Sequence, residues 1–226
     1  MTRTAEIPVT DWKAVRNSVL AEEPFGWCLI RDTFDPATAS ALEEQFPSEG
    51  FVVKHRPSGT PGAKGYRSHN LPLVTAGRLD EEAAGRLTPL WQALLDGLLS
   101  PEYRAAVTAL TGRDVTGCEL EVRAVRYPAG AWIDPHTDRA DKIVTQTWYF
   151  NSDWSPGYRG QLLVLGSADV ADVRTEVWPG AGESVVLCPS ENSWHAVAPV
   201  ADSTPVDRRV LLVHFVDPAV AESSPR

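Results

Sequence analysis

Hydrophobic and polar positions change their spacing near residue 117 of this chain. Before that point, apolar residues recur at the three- and four-residue intervals of helices, most clearly from Leu87 to Leu98. After it, short apolar or alternating runs follow one another, separated by turns rich in Pro and Gly. The pattern therefore predicts a helical first part and a strand-rich second part.

The first part also contains a short strand and a long irregular segment. Helices are predicted at 11–20 (with Thr10 as candidate cap), 35–46, 81–99 and 102–110, and a strand at 27–30. Asp35-Pro36 begins the second helix, because Asp is a favoured N-cap and Pro is favoured in the first turn. Residues 48–76 carry several Gly and Pro and are predicted to be an irregular loop and a candidate lid. Lys64–Arg67 within it is locally positive, either as a basic patch or as an ordinary solvated loop.

Eight short strands are predicted in the second part. They span 118–127, 131–136, 143–150, 161–165, 173–178, 184–188, 194–198 and 208–216. Strands of this length, separated by turns, are typical of a β-sandwich or barrel. We expect one domain over residues 1–226, in which residues 1–115 support a strand-rich core at 116–217.

Composition and charge narrow the classes of partner. The net charge of −9 and the sequence pI near 5.0 disfavour nucleic acid and anionic membranes as partners. Cys28, Cys118 and Cys188 lie far apart, which argues against a disulfide framework or a thiolate zinc site. No apolar run approaches the roughly 20 residues of a membrane span. Met1–Glu6 lacks the apolar segment of a secretory signal, so we expect a cytoplasmic protein.

His136 and Asp138, separated by one residue, form a compact candidate for a metal site. Side chains two positions apart on a strand point to the same face. A third ligand has to come from elsewhere, and the best candidate is His195, on the predicted strand 194–198. Two imidazoles and one carboxylate leave three positions open on an octahedral ion, as in the facial triad of non-haem Fe(II) oxygenases.

Arg208 begins the last apolar strand of the chain. An unpaired guanidinium pointing into a barrel is costly, so an anionic ligand inside would satisfy it. Arginine pairs with a carboxylate through two parallel hydrogen bonds, and 2-oxoglutarate offers a distal carboxylate. A solvated turn at Asp207–Arg209 is the alternative. Arg209 also competes for the inward position, because a one-residue slip reverses the facing of a strand.

The motifs taken together resemble a known family. They are Arg126-Tyr127-Pro128-Ala129-Gly130, His136-Thr137-Asp138, the run from Thr147 to Trp154, Gly160-Gln161-Leu162, the run from His195 to Val200, and Arg208. As a set they resemble the 2-oxoglutarate/Fe(II)-dependent dioxygenase superfamily, particularly its prolyl-4-hydroxylase-like branch. Gln161 stands where the family often has a second Gly, which bears little on the chemistry.

The resemblance implies a fold and a set of roles. The fold would be α+β and mainly β, a double-stranded β-helix (jelly-roll) with an N-terminal helical elaboration packed outside. His136, Asp138 and His195 would bind Fe(II), and Arg208 would bind the C5 carboxylate of the co-substrate 2-oxoglutarate. Tyr149 and Tyr127 match aromatic positions that assist with that co-substrate. The carboxylate at Asp138 favours hydroxylation over halogenation, with desaturation or ring closure as alternatives.

We expect a small-molecule substrate, such as an amino acid or a natural-product intermediate, consumed with O2 by a monomer or homodimer. A peptidyl or protein prolyl substrate is the second choice. Three other classes stay open: a cupin-like metal enzyme without 2-oxoglutarate, a His2Asp zinc hydrolase, and a non-catalytic jelly-roll binding module. Arg208 distinguishes a 2-oxoglutarate enzyme from the cupin-like enzyme, since nothing in a cupin reaction requires this arginine. Metal content discriminates the other two.

Overall fold

The computed structural model describes residues 9, 10 and 12–223. The Met1–Glu6 segment, in which we expect no secretory signal, lies outside the described residues. Six α-helices are described: α1 Lys13–Asn17, α2 Pro36–Glu44, α3 Glu81–Gly85, α4 Pro89–Leu99, α5 Pro101–Thr111 and α6 Pro218–Ser223; one turn of 3-10 helix spans Pro156–Tyr158. No helix in this part of the chain is both long and apolar enough to cross a bilayer.

Helix ends follow local capping chemistry. The Asp35 side chain accepts from the backbone N–H of Ala37 and Thr38 at 3.0 Å, as expected for the cap of α2. The helix predicted at 81–99 is divided, because Pro89 lacks the N–H needed to continue α3 and instead begins α4. α1 is shorter than predicted, and Trp12 rather than Thr10 is its N-cap.

Twelve strands are described, and all their pairings are antiparallel. They are β1 Trp27–Ile30, β2 Val52–Arg56, β3 Tyr66–Thr75, β4 Arg78–Leu79, β5 Glu119–Tyr127, β6 Trp132–His136, β7 Lys142–Tyr149, β8 Leu162–Leu165, β9 Val173–Val177, β10 Ser184–Leu187, β11 His195–Val197 and β12 Arg208–Val216. The eight strands predicted after Gly117 all occur, with ends shifted by at most one residue. The sheet order β1-β10-β7-β12-β5-β3-β6-β11-β8-β9 nearly closes on itself, which confirms the mainly-β, double-stranded β-helix expectation.

The prediction of an irregular loop over residues 48–76 is wrong. β2 and β3 form a hairpin there, and β3 inserts between β5 and β6 in the main sheet. Irregular backbone is confined to residues 48–51, which lead into β2, to residues 57–65 at the tip of the hairpin, and to the turn that begins at residue 76. The local sequence pattern does not predict this strand, because Pro72 lies within it and glycines precede and follow it. Its stability comes from pairing with the distant β5.

Two apolar clusters lie on opposite faces of the sheet. The larger one joins the outer face of β5 and β12 to α4 and α5, with Trp91 and Leu211 fully buried in it. The smaller one lies inside the barrel around Val125 and Val210. Because side chains alternate along a strand, the same strands supply both clusters, and the rest of the inner face is left for polar residues.

Candidate functional site

Three metal-ligand candidates meet inside the barrel. His136 is the last residue of β6, and His195 is its antiparallel partner on β11. Asp138 lies just beyond the end of β6, in a loop rather than on the strand as predicted. One possible ligand atom from each of the three side chains lies within 4.8 Å of the others. The imidazole centroids are 4.2 Å apart.

Both imidazoles are oriented by backbone carbonyls. Nδ1 of His136 donates to the carbonyl of Asp134 at 2.9 Å, and Nδ1 of His195 donates to that of Ser193 at 2.9 Å. A carbonyl can only accept, so the proton is on Nδ1 and the lone pair of each Nε2 is free. Metal-binding histidines are held in this way, and the donor set therefore fits a divalent metal ion.

Burial sets the protonation states of these groups. Burial lowers the pKa of His195, and burial together with the nearby His195 holds the pKa of His136 well below its usual value. Burial alone would raise the pKa of Asp138, but the Lys142 ammonium beside it outweighs burial and holds that pKa well below its usual range. Two neutral imidazoles and one carboxylate are the protonation states that a metal requires.

A hydrogen-bonded chain holds the Asp138 carboxylate in place. Its Oδ1 accepts from Lys142 Nζ at 2.6 Å, and its Oδ2 accepts from Thr145 Oγ1 at 2.7 Å. Thr145 Oγ1 lies 2.9 Å from Nδ1 of His214, whose Nε2 lies 3.0 Å from a guanidinium nitrogen of Arg123. Arginine can only donate, so His214 accepts at Nε2 and donates from Nδ1.

Arg208 lies inside the barrel and is only 1% exposed. It faces Tyr127 of β5 in the register, and its guanidinium lies 4.9 Å from the Tyr127 ring centroid and 5.2 Å from that of Tyr149. Within the described chain, neither Nε of Arg208 nor the Tyr149 hydroxyl has a hydrogen-bond partner. Burial raises the pKa of Tyr149 to about 12, so its phenol stays a donor at neutral pH. These orphaned donors fit a carboxylate ligand.

Arg209 points out of the barrel. Its guanidinium lies over the Phe46 ring at 5.9 Å and donates to the carbonyl of Glu43 at 3.4 Å. Strand alternation explains the difference, because Arg208 and Arg209 are neighbours on β12. The structure therefore brings His136, Asp138, His195, Arg208, Tyr127 and Tyr149 together and leaves Arg209 outside.

An open cavity of about 860 Å³ extends outward from the candidate ligands. Sequence reasoning assigned no role to Arg123 and Lys142, which line this cavity, or to His214, which lies deeper beside the candidate ligands. Alternation along β5 and β12 could have indicated two of these residues. Arg123 shares the face of Tyr127 on β5, and His214 shares the face of Arg208 on β12.

Comparison with known proteins points to one family. The family model described as the 2OG-Fe(II) oxygenase superfamily matches residues 122–217. That segment contains all six residues that converge inside the barrel. No curated protein sequence matches the chain.

Solved structures share the fold over nearly the whole chain. A prolyl-4-hydroxylase from Pseudomonas putida is 22% identical, with a TM-score of 0.55, covering 92% of this chain and 99% of its own. A prolyl hydroxylase from Trichoplax adhaerens, solved with a hypoxia inducible factor peptide, is 15% identical, with a TM-score of 0.62 and coverages of 95% and 93%. HygX from Streptomyces hygroscopicus, solved with nickel and 2-oxoglutarate, is 13% identical, with a TM-score of 0.56 and coverages of 85% and 83%.

Proposed function

We propose that this chain, a member of the 2OG-Fe(II) oxygenase superfamily, hydroxylates an unactivated C–H bond of a small molecule, such as an amino acid or a natural-product intermediate. His136, Asp138 and His195 bind the iron. The observation that carries the proposal is the convergence of their ligand atoms within 4.8 Å at a buried site. When bound, Fe(II) and 2-oxoglutarate supply the oxidising power with O2, which no protein side chain can supply.

The chain's own residues bind and orient the reactants. Arg208 binds the distal carboxylate of 2-oxoglutarate, and the Tyr149 hydroxyl donates to it. Tyr127 forms the opposite wall and packs on the Arg208 guanidinium. All three side chains are buried, and the low exposure of Arg208 to water strengthens each of these charge-assisted contacts.

Two neighbouring side chains, those of Lys142 and Thr145, orient the Asp138 carboxylate. Each carboxylate oxygen accepts one hydrogen bond and keeps a further lone pair for the metal. Lys142 also offsets the negative charge of the carboxylate, which would otherwise be costly inside the barrel. Both residues therefore act as positioning residues.

The dimensions of the cavity support a small-molecule substrate. Its volume of about 860 Å³ lies in the usual range for small-molecule sites. A peptidyl or protein prolyl substrate is the alternative, because two of the structural relatives are prolyl hydroxylases. Turnover of free amino acids and of proline-containing peptides, each measured by succinate release, separates the two.

We also propose that residues 1–226 form a single domain. β1 and β3 come from the first part of the chain, and both pair with strands of the second part. Because residues 1–115 supply strands to the common sheet, they do not form a separate supporting unit. In place of the long lid expected from the sequence, the hairpin tip at 57–65 covers one side of the cavity, where Gly62, Ala63 and Lys64 line it.

The decisive experiment is anaerobic titration. Fe(II) and then 2-oxoglutarate are added to the purified protein, and the weak visible metal-to-ligand charge-transfer band is recorded. We expect the band in the wild type and its loss in His136→Ala. Arg208→Met should require more 2-oxoglutarate to form the band, whereas the matched Arg209→Met variant should behave as wild type. Iron bound without any band would overturn the assignment of 2-oxoglutarate.

A further inference from the structure

One wall of the outer cavity is rich in cations. It is formed by β2, β3, β5, the hairpin tip and the start of β7, and the cationic side chains on it are Lys54, Arg56, Lys64, Arg123 and Lys142. Arg139 also lines the cavity, but it is paired with Asp141. Sheet alternation places most of them on one face. In the antiparallel register of the strands, Lys54 lies opposite Ser68, Arg56 lies opposite Tyr66, and Arg123 lies opposite Pro72.

Most of these cations lack an anionic partner. Lys142 binds Asp138, but no described carboxylate forms an ion pair with Lys54, Arg56, Lys64 or Arg123. Nε of Arg123 is buried and has no hydrogen-bond partner among the described residues. The rest of the chain is acidic, with a net charge of −9, so the concentration of positive charge in this cavity is local.

The carboxylates that line the cavity are already engaged. Asp134 accepts from Ser58 Oγ at 2.8 Å, from the N–H of Gly65 at 2.9 Å and from Trp132 Nε1 at 2.9 Å. Asp138 faces the metal-ligand candidates. Neither carboxylate forms an ion pair with Lys64 or Arg123, so both cations have donors available for an external anion.

The hairpin tip that carries Lys64 is held against the barrel. Besides the Asp134 carboxylate contacts, the N–H of Asp134 donates to the carbonyl of Gly65 at 2.9 Å. A Cβ on Gly65 would lie 2.6 Å from the Ser58 backbone, so this close approach requires glycine. Lys64 is therefore positioned beside the cavity before any ligand arrives.

We infer that the primary substrate carries an oxyanion, a carboxylate or a phosphoryl group, and that Arg123 and Lys64 bind it beside the metal. This inference rests on the proposed function, since it describes the substrate of the same site. 2-Oxoglutarate does not account for these cations, because Arg208 and Tyr149 already offer it donors deeper in the barrel. A guanidinium and an ammonium group together bind an oxyanion through several charge-assisted hydrogen bonds.

The electrostatics of Lys64 support this assignment. Burial, followed by repulsion from Lys142, lowers the pKa of Lys64 to about 7, with Arg123 and Arg56 adding to the repulsion and Asp138 opposing it. A bound anion removes much of this repulsion and favours the protonated amine.

The test uses sulfate as the probe. Protein loaded with Mn(II) and saturating 2-oxoglutarate is titrated with sodium sulfate by calorimetry at low ionic strength, where charge interactions are least screened. We expect one binding event, weakened about 10-fold or more by Arg123→Gln and by Lys64→Gln. Arg123→Lys should retain part of the affinity. The exposed Arg78→Gln, which removes the same charge elsewhere, should change it less than about 2-fold.

Several results would overturn the inference. They are no sulfate binding, binding that 2-oxoglutarate abolishes, and equal affinities in wild type, Arg123→Gln and Lys64→Gln. The anaerobic charge-transfer band is recorded on the same preparations. A normal band with no sulfate binding refutes only the anionic substrate, whereas a missing band refutes the proposed function.

A substrate screen distinguishes the two kinds of oxyanion. Succinate release is measured with matched pairs, in which a carboxylic acid is compared with its methyl ester and a phosphomonoester with its parent alcohol. We expect turnover of the charged member of one pair type and loss of that turnover in Arg123→Gln. Equal turnover of charged and neutral members would contradict the inference.

Discussion

The two faces of β5 and β12 differ in the kind of side chain that they bury. The outer face carries Leu211, Val213 and Phe215 into a sealed apolar cluster beneath α4 and α5. The inner face, one residue out of step, carries Arg208 and His214 among buried polar groups. Nε of Arg208 and Nε of Arg123 lack a hydrogen-bond partner on the inner side; on the outer side Nε of Arg126 also lacks one, but the same guanidinium donates to the carbonyl of Pro47 and lies over the Phe51 ring.

The outer face therefore contributes mainly to the stability of the fold, and the inner face contributes mainly to ligand binding. The outer face is covered by the chain itself, because its apolar side chains pack beneath α4 and α5 and Arg126 on the same face contacts Pro47 and Phe51. The inner face keeps charged groups whose desolvation is compensated only when metal, co-substrate and substrate are bound. Substitutions on the two faces should therefore affect different measurements.

The largest expected effect is the loss of a metal ligand on the inner face. His136→Ala should reduce turnover by about 1,000-fold or more, equivalent to about 4 kcal/mol of barrier, since two protein ligands cannot hold the iron in place. Iron content and succinate release measure the effect. An active, iron-loaded His136→Ala variant would remove this residue from the site.

A neighbouring pair on β12 compares the faces directly. Leu211→Ala, on the sealed outer face, should lower the free energy of unfolding by about 2–5 kcal/mol. Leu212→Ala, partly exposed on the cavity side, should lower it by about 1 kcal/mol or less. Urea denaturation gives both values. Equal losses would show that the inner face contributes as much packing as the outer one.

Arg208→Met should weaken 2-oxoglutarate affinity by about 100-fold, or about 2.7 kcal/mol. The free energy of unfolding should stay the same or rise by about 1 kcal/mol, because an unpaired buried cation is removed. Titration of the charge-transfer band and urea denaturation measure the two quantities. The control is Arg209→Met, for which a large loss of co-substrate affinity would reverse the two assignments.

The smallest effect concerns pH. Lys64 is cationic below its pKa of about 7 and neutral above it. Sulfate, which stays ionised throughout, should bind up to about 10-fold more weakly at pH 8.5 than at pH 6. The ionisable groups that face Lys64 are Lys142, Asp138, Arg123 and Arg56, together with the imidazoles of His136, His195 and His214. Lys64→Gln should flatten the calorimetric pH profile, and an unchanged slope in that variant would assign the dependence to another group.

Much of the fold follows from local pattern. The eight later strands, the Asp35 cap and the mainly-β class are confirmed, because alternation and capping depend on residues close in sequence. The family resemblance from the motifs is confirmed by the match over 122–217. The roles of His136, Asp138, His195 and Arg208 stay predictions, although the structure places them together.

Other features depended on tertiary structure alone. β3 is a strand because β5, about fifty residues later, supplies its hydrogen bonds, and no local signal reveals that pairing. The cationic wall arises because a hairpin, the middle of β5 and the start of β7 meet around one cavity. Sequence alternation determined which side of its own strand each residue faces, and long-range pairing decided which of those sides share an interior.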